Sequence, residues 1–202
     1  MALKKRTTLA LIAMSVITTA VVAYLVLVLQ ELRQSIDVPI LAYVTDDSYP
    51  FIPKPLARSY FEYSHFDPNA NTRLEMPAYN FLLAGYGTFG EANNRRILEL
   101  SDLFIQKCAD IDRVYQGYSP LNAAVLSNEP ELVQHLVLHG ANLHQKVDRP
   151  GSKFNGMVAT EFAVALAAHE PRDITKVLAA LSAQPNPSFR QRSAKSCAFC
   201  CQ

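Results

Sequence analysis

Gly117-Tyr118-Ser119-Pro120-Leu121-Asn122-Ala123-Ala124 is the stretch that decides the fold. Ser119 carries the hydroxyl of a helix N-cap. Pro120 follows at the first helical position, where a fixed φ and a missing N–H do no harm. The spacing predicts a short helix over 120–126, and small Ala123 and Ala124 let it approach its neighbours closely. A second helix is predicted over 130–139, again opened by a proline, with Leu132, Val133, Leu136 and Val137 on one face. Gly140 stands just past it, where a left-handed residue ends a helix without steric conflict.

The pattern recurs on both sides. At an offset of 41, Ser119–Ala124 aligns with Thr160–Ala165, Pro130 with Pro171, Val133 with Ile174, Leu136 with Val177 and Val137 with Leu178. At an offset of 32 towards the amino terminus, Gly140-Ala141-Asn142-Leu143 aligns with Cys108-Ala109-Asp110-Ile111, and Leu132 with Leu100. Helices are therefore expected over 94–107, 160–168 and 171–181. Such repetition signals stacked helix pairs, none of which can bury its apolar face alone.

Residues 117–144 resemble an ankyrin repeat. The turn 117–124 stands where that family has Gly-x-Thr-Pro-Leu-His-x-Ala, and 132–144 stands where it has its second helix and Gly-Ala-Asp-Val-Asn ending. Asn122 replaces the family histidine, and Glu161 replaces the proline of the third repeat. The first repeat, 76–112, carries about eleven extra residues around Gly85–Asn94. Residues 145–159 exceed the family's 33-residue period by about eight. The expected fold is mainly α: a short ankyrin-like helical-pair solenoid over 76–183, preceded by one transmembrane helix.

That helix is read from residues 7–29, which hold 23 consecutive uncharged residues. At 1.5 Å per residue they span about 35 Å, enough for a hydrocarbon core of about 30 Å. Lys4, Lys5 and Arg6 precede the run, so residues 1–6 are expected to form a cytoplasmic basic tip. Everything after Gln30 then lies outside the cytoplasm. The run exceeds the apolar core of a cleaved signal peptide, and its end, Ala23–Leu29, offers no small-residue cleavage site. It is read as an uncleaved signal anchor.

Residues 30–75 hold Pro39, Pro50, Pro53, Pro55 and Pro68, and seven aromatics lie between Tyr43 and Phe66. An irregular, ordered segment is expected, its aromatics either capping the first repeat or forming a contact surface for a partner. Residues 184–202 hold Pro185, Pro187, three bases and Cys197, Cys200 and Cys201, and read as a disordered tail. Cys108 takes the position of a helix-ending glycine and is expected to be buried and free. The segment 30–183 has 13 basic and 18 acidic residues, so nothing points to nucleic acid.

No Gly-x-Ser-x-Gly elbow, phosphate loop or His-Glu-x-x-His pair is present, and no catalytic residue is expected. Gly85-x-Gly87-x-x-Gly90 matches a dinucleotide fingerprint in letters only, since no strand is predicted before it. His135, His139 and His144 cluster in sequence, but in this repeat family the second helix has a polar outer face. No metal, cofactor or small-molecule substrate is therefore expected. The candidate partner-binding residues are Tyr115, Gln116 and Tyr118 in the turn, and Asp148, Arg149, Lys153, Phe154 and Asn155 in the long insertion. Tyr and Arg are favoured at binding hot spots.

The resemblance implies a binding surface rather than a reaction centre. Members of the family include small, exported, single-anchor bacterial proteins encoded beside secreted toxins. The chain is thus expected in the bacterial inner membrane, single-pass, with a periplasmic domain. There it would neutralise a toxin by occlusion as an immunity or inhibitor protein. The alternative is a scaffold or protective partner in a cell-envelope complex.

Overall fold

A computed structural model describes residues 2–183, with side chains from Ile12 onward. The chain divides into two units, residues 1–60 and residues 61 onward.

In the first unit, α1 runs from Ala2 to Gln34. Over Ile12–Gln34 its mean hydropathy is 2.5 with 6% of the window buried, so it is long and apolar enough to cross a membrane. Ile12, Val16, Ile17, Val21, Val22, Val26 and Leu27 are all exposed. A soluble helix shows one polar face; this one has apolar side chains open all round. Thr18 and Thr19 donate their hydroxyls to the Met14 and Ser15 carbonyls at 2.8 and 2.9 Å, satisfying the polar atoms inside the helix. At the far end Val28 and Leu32 are buried, and α1 packs against α2, Asp37–Val44. Asp37 opens α2 and accepts a hydrogen bond from Ser35 Oγ. The Tyr24 hydroxyl donates to the Phe51 carbonyl.

The expected irregularity of 30–75 is corrected here. Besides α2, helix α3 covers Lys54–Tyr63. Pro39 and Pro55 each fall in a first helical turn, where no N–H is needed for the ladder. Proline density marked where these helices begin.

In the second unit three helix pairs follow one another. They are α4 (Ala78–Ala84) with α5 (Glu91–Gln106), α6 (Pro120–Leu126) with α7 (Pro130–Leu138), and α8 (Ala159–His169) with α9 (Thr175–Leu181). The members of each pair pack together, α6 lies on α8, and α7 lies on α9. A turn closed at its base by backbone pairing precedes every pair. Asn71 bridges Pro77 before α4, Tyr115 bridges Tyr118 before α6, and Val147 exchanges hydrogen bonds with Gly156 and Met157 before α8. Among the described residues there is no strand beyond those isolated bridges.

The local signals act as their chemistry requires. Ser119 Oγ accepts the Asn122 N–H at 3.2 Å and caps α6, with Pro120 at the first position. Gly140 has φ +89° and Cys108 has φ +68°. At both, the next N–H reaches back over the helix end: Ala141 to the Leu136 carbonyl at 3.0 Å, and Ala109 to the Phe104 carbonyl at 2.9 Å. That double closure satisfies carbonyls the ladder leaves open. Asn128, φ +58°, ends α6 in the same way. The core contains Tyr79, Leu82, Ile97, Leu100, Phe104, Leu121, Leu136 and Phe162. Phe61 and Phe66 close on Phe104 with ring centroids 5.6 and 5.0 Å away, so part of the aromatic segment does pack on the first pair.

Three details differ from expectation. The extra residues of the first pair form a six-residue turn, 85–90, and one more turn of α5, whose first residue is Glu91. The third pair starts with Val158 as its cap, because Glu161 Oε2 accepts the Val158 N–H at 3.2 Å. Cys108 is half-buried rather than buried, since its left-handed position ends a helix instead of filling the core, and it is disulfide-bonded rather than free. Cys197, Cys200 and Cys201, and the tail 184–202 assigned to disorder, lie outside the described residues.

Candidate functional site

Residues singled out in two separate stretches meet in one place. The turn 115–118 is closed by reciprocal hydrogen bonds, Tyr115 N–H to the Tyr118 carbonyl at 2.9 Å and the reverse at 3.1 Å. Gln116 (φ +51°) and Gly117 (φ +86°) occupy its tip. Both positive angles are what a two-residue hairpin turn needs. The insertion is a finger pinched at its base by Val147 and Met157, whose N–H and carbonyl lie 2.9 Å apart. Asp148 N–H then donates to the Gly117 carbonyl at 2.8 Å, fastening finger to turn. A Cβ on Gly117 would stand 2.3 Å from both the Asp148 carbonyl oxygen and Arg149 Cγ, so only glycine permits this approach.

Side chains finish the joint. The Arg149 guanidinium lies 5.3 Å from the Tyr118 ring centroid and donates to the Tyr118 hydroxyl at 3.2 Å. Tyr118 stacks on Phe162 of α8, with centroids 5.8 Å apart. Asn155 Oδ1 accepts the Arg149 N–H at 2.8 Å, closing the finger internally. Phe154 is half-buried, edge-on to Phe162 at 5.3 Å and to His169 at 5.8 Å, so it is a strut inside the finger. The Lys153 ammonium sits over the Phe154 ring at 4.9 Å. Gln116, Asp148, Arg149, Lys153 and Asn155 are exposed, giving a polar, mixed-charge crest.

Beside this crest a groove of about 220 Å³ is lined by Tyr115, Gln116 and Tyr118 together with Asn80, Tyr86 and Glu129. Sequence reasoning did not single out Tyr86. Its hydroxyl donates to Glu131 Oε2 at 2.9 Å, linking the turn after α4 to the start of α7. Burial, then the Glu131 carboxylate, push the Tyr86 phenol well above its ordinary pKa. Forty-five residues separate the two, and no local signal could have paired them. Asn122 does link neighbouring turns: its amide donates to the Gln145 carbonyl at 3.0 Å, as Asn80 donates to the Arg113 carbonyl at 3.1 Å.

The histidines are placed otherwise than expected. His135 and His139 are largely covered and face Asp102 of α5 instead of forming a polar outer face. His144 is exposed and stands apart. The Gly85–Gly90 stretch is the turn between α4 and α5, preceded by a helix.

Comparison of the chain with protein-family models, with curated proteins and with solved structures finds no match.

Proposed function

We propose that this chain is a membrane-anchored, periplasm-facing binding protein built from about three degenerate ankyrin-like repeats, and that it neutralises a secreted antibacterial toxin by occlusion. The repeat reading is supported by a turn before each helix pair, by left-handed closures at Cys108 and Gly140, and by the pairwise packing of α6 on α8 and α7 on α9. The membrane reading is supported by α1, whose apolar side chains from Ile12 to Leu27 are exposed, and by the bases at its amino terminus.

The observation that carries the binding role is the convergence of the turn 115–118 and the finger 145–159 on one exposed, rigidly braced crest beside a groove. A surface preorganised in this way loses little freedom on binding. The anchor holds the inhibitor at the membrane and raises its local concentration against effectors acting there. The test is binding of the purified full chain, in detergent, to each product of the adjacent genes. Tight binding to an effector that attacks lipid or cell wall, weakened about tenfold or more by Arg149→Ala, is expected, as for loss of about 1.4 kcal/mol at a hot spot. If no neighbouring product binds, the toxin reading fails.

A further inference from the structure

We propose that Asp102, His135 and His139 form a binding site for one divalent transition-metal ion of the zinc class, joining α5 to α7. Asp102 Oδ1 lies 3.0 Å from His139 Nε2 and 3.8 Å from His135 Nε2. The three ligand atoms fall within 4.8 Å of one another. Two imidazoles and one carboxylate, with water in the fourth position, are an established ligand set for zinc.

Two features of this contact point to a cation. Asp102 Oδ1 is sealed from solvent, and no well-aligned hydrogen bond reaches it, although half of that side chain is exposed. A buried carboxylate oxygen without a well-aligned donor is expensive. In addition, His139 Nδ1 lies 2.7 Å from the His135 backbone carbonyl. It must donate there, so in the neutral ring the Nε2 lone pair turns towards Asp102. Fixing of the far ring nitrogen by a carbonyl is the usual support of a metal-ligating histidine. Lone pair against carboxylate at 3.0 Å repels unless a cation lies between them. That cation is a proton or a metal ion.

The rest of the site favours the metal. His135 is nearly enclosed, its side chain 11% exposed, so little water competes for its ring nitrogens. Ser101 Oγ is 3.0 Å from His135 Nε2 and 3.0 Å from the Tyr79 hydroxyl. On metal binding its proton can turn to the carbonyl one turn back in α5, freeing the nitrogen. The two rings stand 4.2 Å apart between centroids, as ligands on successive turns of one helix do. None of these residues lines the groove, so the site does not depend on the partner-binding reading.

The test is cobalt(II) and zinc binding by the full chain in detergent at pH 7.5, with Asp102→Asn and His139→Gln as variants and circular dichroism as the check of folding. One equivalent of cobalt should bind with visible ligand-field bands and without the near-ultraviolet charge-transfer band that thiolate ligands give. Zinc should raise the melting temperature of the wild type. Each variant should lose affinity by at least roughly 100-fold, more than loss of a supporting group does. If one variant does not fold, the other decides. Absence of stoichiometric binding, equal binding by a folded variant, or a thiolate charge-transfer band would overturn the assignment. In the first case the 3.0 Å contact holds a proton only.

Discussion

Alanine at Gly117 and at Gly151 separates backbone conformation from packing at the proposed crest. The two glycines have nearly the same φ, +86° and +84°, but a Cβ on Gly151 meets nothing within 4 Å. On Gly117 it would lie 2.3 Å from the Asp148 carbonyl oxygen, which is backbone and cannot swing aside. Both substitutions carry the left-handed penalty of about 1–2 kcal/mol for an L side chain. Gly117→Ala must also push the finger away. That breaks the Asp148–Gly117 hydrogen bond, about 1 kcal/mol, and draws Arg149 off the Tyr118 ring, about 0.5–1 kcal/mol. The expected losses are about 3 kcal/mol for Gly117→Ala and about 1 kcal/mol for Gly151→Ala. For a domain of this size they lower the melting temperature by about 9 °C and 3 °C. Thermal melts of the full chain followed by circular dichroism read the difference directly. Equal losses at the two sites would refute the claim that the finger is fastened to the turn at Gly117.

Three further outcomes follow from the same contacts. Asn122→Ala removes a buried amide from the Gln145 carbonyl and should destabilise by about 1–3 kcal/mol in a denaturant titration; a neutral result would mean that the link between turns carries no load. Cys108→Gly, measured in reductant so that no disulfide contributes, should stabilise by about 1 kcal/mol, because glycine adopts φ +68° without the strain a side chain brings; a loss would argue against a strained helix end. Burial raises the phenol pKa of Tyr79, and burial with Glu131 raises that of Tyr86. A raised folded pKa leaves stability intact below about pH 10 and removes it as pH climbs further. Tyrosinate absorbance should therefore show these two ionising together with unfolding, and ionisation of all tyrosines near pH 10 with the helical signal unchanged would contradict their burial.

The middle pair was legible because its signals are local. Ser119, Pro120, Pro130 and Gly140 each act within one turn of their own position, and α6 and α7 begin where those residues indicate. The third pair was legible in type and less so in its bounds: Glu161 drew α8 forward by one residue, and α9 begins at Thr175, four residues after Pro171. Helices α2 and α3 were not legible because proline, which breaks a helix interior, sits in the first turn of each. At the site, the length of 145–159 announced an insertion, but nothing local could show Phe154 turning inward on Phe162 and His169. The meeting of Asp102 with His139 across 37 positions likewise depends on how α5 lies against α7.

The central claim is that α1 crosses a bilayer and presents the helix pairs on its far side. Protease added to intact spheroplasts carrying the full chain, followed by detection of an amino-terminal and a carboxy-terminal tag, measures that topology directly. The account predicts that the carboxy-terminal portion is digested while a short tagged fragment containing Lys4–Arg6 survives in the membrane. Full protection of the carboxy-terminal portion in intact cells, with digestion only after lysis, would contradict it.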